Sequence, residues 1–223
     1  MKNITKKKTT KTKKLKKEMI REEVVQFLGR DTIYALGVDQ GYANLGFSIV
    51  KYNILEDKIE VLDVKGLTTS ASKCLNKRIL DIYSFTKDLL MENEFGKMVD
   101  VLGCEKLFYN QPMKVNTGDE LKATFILRNK SASILKTNMV TGILYLISAE
   151  LDKEIFEHPP TTVKKHIVGN GRSSKEELNK SLNTIIEDSG LEVKTDHQSD
   201  SIGIAITTAK EYCQYIYKNF IKK

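Results

Sequence analysis

No stretch of this chain is apolar for long enough to cross a membrane, and no signal-peptide core follows its start. The expectation is a cytoplasmic protein with no membrane partner. Cysteine is scarce: Cys74, Cys104 and Cys213 are scattered, odd in number and without CxxC spacing. That excludes a disulfide framework and a thiolate zinc site, and it suits a reducing interior. Histidine is equally sparse, at three residues. Any metal held here is therefore a hard one bound mainly through carboxylates. No internal repeat is visible. With 223 residues and 40% hydrophobic content, the chain suits one domain with appendages.

Acid is absent from the first 17 residues, "MKNITKKKTTKTKKLKK", which carry nine lysines. Beyond them stand 27 basic against 29 acidic residues, so the net +7 belongs to this segment. Its charge and poverty in apolar groups predict a disordered tail over 1–17. Such a block is either a polyanion-binding arm or a solubilising or targeting extension. An all-lysine block without arginine does not resemble a mitochondrial presequence.

Residues 18–30 predict a short helical lead-in through Met19, Val24, Val25 and Leu28. Apolar runs and alternation predict strands over 32–39, 44–53 and 58–67, joined closely enough to form an antiparallel meander. A helix follows over about 70–93, with Leu75, Ile79, Ile82, Phe85, Leu89 and Leu90 on one face. A fourth strand covers 99–105 and a fifth 154–158. Between them, Leu121, Phe125, Ala132, Leu135, Met139, Ile143 and Leu146 recur at helical spacing over 120–150. That face suits the core, and Ala132, Ser133 and Gly142 also suit a helix pair. A capping box, Ser173 with Glu176 or Ser174 with Glu177, opens another helix. The last helix spans about 196–218. This order predicts an α/β fold of ribonuclease H-like architecture: a mixed five-stranded sheet with helices on both faces.

Acids close two of the strands. "YALGVDQGYANLGFSIV" runs from an apolar strand into Asp39 and then past Gly41 and Gly46, and "VLGCE" ends at Glu105. Near the start of the last helix, "TDHQSD" sets His197 and Asp200 three residues apart, on one helical face. If the first and fourth strands are neighbours, these groups converge. Clustered carboxylates repel one another and persist where divalent cations neutralise them. Oxygen ligands with one imidazole favour Mg²⁺ or Mn²⁺, and the chemistry that follows is two-metal phosphodiester hydrolysis. The bland alternatives are a turn cap at Asp39, a surface carboxylate at Glu105 and a first-turn residue at His197.

Four segments in order carry a family resemblance. "LGVDQGYANLGFSIV" looks like D-P-G-x-x-x-T-G followed by an apolar strand, and "CEKLFYN" looks like E-x-x-F. "PTTVKKHIVGNGRSSKEEL" is similar to P-x-x-V-K-x-x-V-x-G-x-G-x-x-x-K, and "DHQSDSIGIAI" to D-H-x-x-D-A-L-x-x-A. The chain thus resembles the RuvC family of Holliday-junction resolvases over about residues 33–210, and 31–223 reads as a RuvC-like nuclease domain. The resemblance implies a catalytic, metal-binding quartet of Asp39, Glu105, His197 and Asp200, with Asp196 as the substitute should the register slip by one. It implies two Mg²⁺ per site, replaceable by Mn²⁺. It places Phe108 as a DNA-stacking aromatic and Lys164 and Lys175 beside the scissile phosphate, with catalytic and DNA-binding roles. Its partners would be four-way or branched DNA and a second copy in a homodimer; a branch-migration motor stays open. Gln40 stands where the family has proline, Leu45 where it has threonine, and Ser201 and Gly203 where it has small apolar residues. These departures, with the long basic lead-in, suit a divergent branch such as a phage- or virus-encoded relative.

Three other readings compete. A nuclease of the same fold could act on forks, flaps or replication intermediates. A sugar-kinase or actin-like ATPase shares D-x-G-x-x-x-x-G but needs two related lobes. A non-catalytic DNA-binding module would not need the quartet.

Overall fold

The computed structural model describes the backbone of residues 2–107 and 120–222 and the side chains of 15–107 and 134–222. Phe108 lies outside the described residues, as do the side chains of Leu121, Phe125, Ala132 and Ser133. The elements in order are α1 (Lys2–Leu28), β1 (Thr32–Asp39), β2 (Asn44–Asn53), β3 (Lys58–Thr68), α2 (Leu75–Met91), β4 (Val101–Glu105), α3 (Glu120–Glu150), β5 (Glu154–His158), α4 (Pro160–Val168), α5 (Lys175–Ser189) and α6 (Asp196–Ile216). A π-helical turn, Tyr217–Ile221, continues α6.

The sheet order is β3-β2-β1-β4-β5. β1, β2 and β3 pair antiparallel, whereas β4 joins β1, and β5 joins β4, in parallel. Both faces are covered, which is why β1 reads as an unbroken apolar run. Ile33 and Ala35 point to the face under α1, α5 and α6, where they join Val24, Leu182, Ile202 and Ala209. Leu36 and Val38 point to the other face and meet Ile82 and Leu90 of α2 and Val140 and Leu144 of α3.

Four expectations change. Residues 2–17, expected to be disordered, continue the lead-in as one helix. No glycine or proline interrupts 2–28, and lysine is a good helix former. Gly29, at φ 66°, ends the helix. α2 starts at Leu75 rather than Ser70, because Ser70 bonds locally to Ser72 instead of capping a turn. On α3 the core side is Val140, Ile143, Leu144 and Ile147, while Leu135, Met139 and Leu146 are exposed. Last, "PTTVKKHIV" is a helix, α4, entered at Pro160 and closed by Gly169 at φ 84°. Of the two capping boxes, Ser174 with Glu177 forms.

Candidate active site

Asp39 and Glu105 end neighbouring parallel strands. Val38 is in register with Cys104, so the next residue of each strand emerges at the same sheet edge. Side chains alternate along a strand. Ile33, Ala35 and Val101 face α6, so Asp39 and Glu105, an even number of steps further on, face it too. The local apolar pattern thus aims both carboxylates at one helix.

Glycine lets that helix sit close. A side chain at Gly46 would collide with the His197 carbonyl, one at Gly37 with the backbone of Ser201 and Ala205, and one at Gly103 with Thr208. Three adjacent strands therefore leave a bare lane in which α6 lies against the backbone. Ser48 Oγ, 2.5 Å from Ser201 Oγ, joins the two surfaces.

The start of α6 is fixed by a second capping box. Thr195 Oγ1 accepts from Gln198 N, and Gln198 Oε1 accepts from Thr195 N and Lys194 N. Asp196 is then the first helical residue. It is exposed and paired with Lys175 Nζ at 3.3 Å. His197 is the residue that reaches in, with Nδ1 2.5 Å from Asp39 Oδ2.

Burial raises the pKa of Asp39, opposed by the hydrogen bond from His197 and the charges of His197 and Lys175. Burial likewise raises Asp200; Lys175 opposes this, and Asp39 and Asp196 add to it. Lys175 Nζ stands 3.8 Å from Asp200 Oδ2, and Asp200 is the largest cause of its raised pKa. Glu105 has no such relief: burial, Asp39 and Asp200 all push its pKa up. Glu105, Lys164, Lys175 and Asp200 line one recess of about 190 Å³ with Pro160 and Val163. Lys164 Nζ donates to the Ser173 carbonyl at 2.6 Å.

The donor set is three carboxylates and an imidazole, and Glu105 lacks a compensating charge. That composition fits a hard divalent cation. Among the described residues, no three His, Cys, Asp or Glu side chains are gathered closely enough to hold an ion as they stand. The His197 contact engages Asp39, and the Lys175 ammonium lies beside Asp200.

Gln40 carries a role that its place in the sequence did not reveal. It is 1% exposed. Its Oε1 accepts from Glu105 N at 2.9 Å, and its Nε2 donates to Glu105 O at 2.5 Å. The side-chain amide acts as one further rung of the β1–β4 ladder and holds Glu105 at the edge. An amide residue directly after a strand end, beside a neighbour that ends in an acid, was the available signal.

The model of the family described as crossover junction endodeoxyribonuclease RuvC matches residues 118–208. The enzyme of that name from Ruminiclostridium cellulolyticum is 29% identical over 171 residues, which is 77% of this chain and 88% of the relative. That of Alkaliphilus oremlandii is 28% identical, covering 78% of this chain and 91% of the relative. In structure, Thermus thermophilus RuvC in complex with a Holliday junction substrate aligns with a TM-score of 0.63 at 20% identity, over 82% of this chain and 96% of that one. The fold is thus that of RuvC, and along most of its length the chain is similar to crossover junction endodeoxyribonucleases of that name.

Proposed function

We propose that the chain is a divalent-metal-dependent, structure-specific DNA endonuclease. It resolves four-way junctions by symmetric phosphodiester hydrolysis as a homodimer, leaving 5′-phosphate and 3′-hydroxyl nicks. One observation carries this reading: Asp39, Glu105, His197 and Asp200, from distant parts of the chain, meet at one end of the sheet, where the carboxylates raise one another's pKa and His197 opposes the rise at Asp39 and Asp200. The family names of the relatives point to the same substrate class.

Asp39, Glu105, Asp200 and His197 would hold two Mg²⁺, with Mn²⁺ as a substitute. Bound there, the ions supply an activated water and charge relief at the leaving oxygen. Asp39 orients the His197 ring through Nδ1, leaving Nε2 to ligate or to orient water. Lys175 stands beside Asp200 and donates to a non-bridging phosphate oxygen. Lys164 gives one N–H to Ser173 O and keeps two for the phosphate. Phe108 stacks on a base near the branch point. Asp196 serves as an anchor for Lys175 rather than as a ligand.

The dimer is formed through α3. Leu135, Met139 and Leu146 are 61%, 40% and 52% exposed and lie on one helical stripe. Gly142 sits in the same stripe with open space above it, which lets a second helix approach. The working compartment is the cytoplasm. The cysteines are free, and burial pushes Cys104 up to about 12 and Cys213 up to about 11, so both stay protonated. Among the described residues no helix is long and apolar enough to cross a membrane.

The test is cleavage in Mg²⁺ of an immobile four-way junction beside a Y-fork, a flap and linear duplex of the same sequence. Paired symmetric nicks in the junction, with linear duplex uncut, are expected. Equal cutting of forks and flaps would instead make this a general branched-DNA nuclease. Junction binding without any cutting would make it a non-catalytic relative.

A further inference from the structure

A second recess, of about 590 Å³, lies between α1, the end of α4, the second half of α6 and the π turn. Its wall is basic: Lys16 and Arg21 come from α1, Lys165 from α4, Lys210 from α6, and Lys218 and Lys222 from the chain end. Among the described residues the one carboxylate in the wall is Asp57, and it is already engaged. Arg21 pairs with it at 2.5 Å, Lys17 at 3.1 Å, and the Tyr52 hydroxyl donates at 3.0 Å. Those partners outweigh burial and lower Asp57 to about 2, so it stays ionised and committed. Nearby Glu211 attracts Lys218, and its Oε2 stands 3.3 Å from His158 Nδ1. Among the described residues, no carboxylate forms an ion pair with Lys16, Lys165, Lys210, Lys218 or Lys222. Lys210 is the most constrained of them. Burial lowers its pKa, Asp57 opposes this, and the Lys17 and Arg21 charges add to the lowering.

We propose that this recess is a second nucleic-acid contact, which takes the backbone phosphates of a DNA arm outside the cutting site. The inference rests on the reading of the chain as a DNA nuclease. Three observations favour a polymer over a small anion. The recess and the candidate active site share α4 as a wall, with Lys165 lining the one and Lys164 the other. Along α6, Asp200 and Lys210 are ten residues apart, about 15 Å of helix. That spans roughly four phosphates of one strand at ~3.4 Å each. Finally, α1 runs on from the rim into the nine-lysine segment, so the basic track continues beyond the recess. A chain of phosphates meets all three; a free anion meets only the recess.

The alternative is that these lysines merely offset the carbonyl dipoles at the ends of α4 and α6. The experiment uses the full chain and a Lys210→Gln/Lys218→Gln/Lys222→Gln variant. Affinity for an immobile junction is measured by anisotropy from low to moderate salt, alongside single-turnover cutting at saturating junction. Each lost phosphate contact should flatten the slope of log affinity against log salt by about 0.9. The expected result is a slope shallower by roughly one to three, with the cutting rate within twofold of wild type. The single Lys218→Gln variant, at an exposed position, protects against a folding artefact and should flatten the slope by about 0.9 alone. Unchanged slopes in both variants would overturn the proposal. So would calorimetric binding of inorganic pyrophosphate that the triple variant loses while its junction slope stays the same, because the recess would then serve a free anion. If the wild type neither binds nor cuts branched DNA, the functional reading itself fails and takes this inference with it. A wild type that cuts, with variants of unchanged slope, removes only this inference.

Discussion

Single side chains decide how the proposed site is held before metal or DNA arrives. Gln40 fixes the end of β4 by bonding both backbone groups of Glu105. Replacing it with alanine leaves an N–H and a carbonyl unpaired in a nearly closed setting, at about 1–3 kcal/mol. We expect Gln40→Ala to raise the Mg²⁺ concentration for half-maximal cutting while junction affinity holds. A proportional loss of both would mean general damage. Glu105 illustrates the electrostatic side. Burial and two like charges raise its pKa above the ordinary 4.5, so its charged form opposes folding. Metal-free protein should therefore gain stability as pH falls from the raised value towards 4.5, through this group. At neutral pH, Glu105→Gln should raise the metal-free melting temperature by on the order of 2–4 °C for each kcal/mol relieved. It should also abolish cutting. A lower melting temperature would show that Glu105 is satisfied in a way that its surroundings do not indicate.

At the scale of elements, period and end chemistry carried most of the reading. β1, β2 and β5 fall where their apolar runs predict. Strand alternation is legible one residue at a time, and it alone aims Asp39 and Glu105 at the same face. Less legible was whatever depends on the partner surface. α3 is apolar on more than one side, so its spacing could not say which side the sheet would take. Val140, Leu144 and Ile147 won the core, and Leu135, Met139 and Leu146 were left outside. α4 escaped notice because nine residues make too few turns for a period to be read. The glycine lane under α6 was equally hidden, since Gly37, Gly46 and Gly103 come together only once β2, β1 and β4 are side by side. The exposed α3 stripe makes its own prediction. Leu135→Glu with Leu146→Glu should shift the protein from dimer to monomer in sedimentation, with the monomer still folded. A dimer that survives both charges would place the interface elsewhere.

For the whole molecule, the sheet edge and α6 form one device. The parallel β1–β4 pair brings two acids together, the bare lane seats α6, and the Thr195 cap sets which residue of α6 looks in. The four motifs found along the sequence are the visible trace of this convergence. The basic recess left no such trace, because its lysines come from separate segments, each ordinary alone. The most direct measurement of the central proposal compares wild type with Asp39→Asn on an immobile junction in Mg²⁺, reading binding and cutting in the same samples. The substitution keeps the side chain's size and removes its charge. We expect junction affinity equal to or tighter than wild type, with cutting reduced by about 10²–10³-fold, the scale on which loss of a preorganised group acts. Asp39→Asn protein that cuts at near wild-type rate would contradict a metal-binding role for this sheet edge.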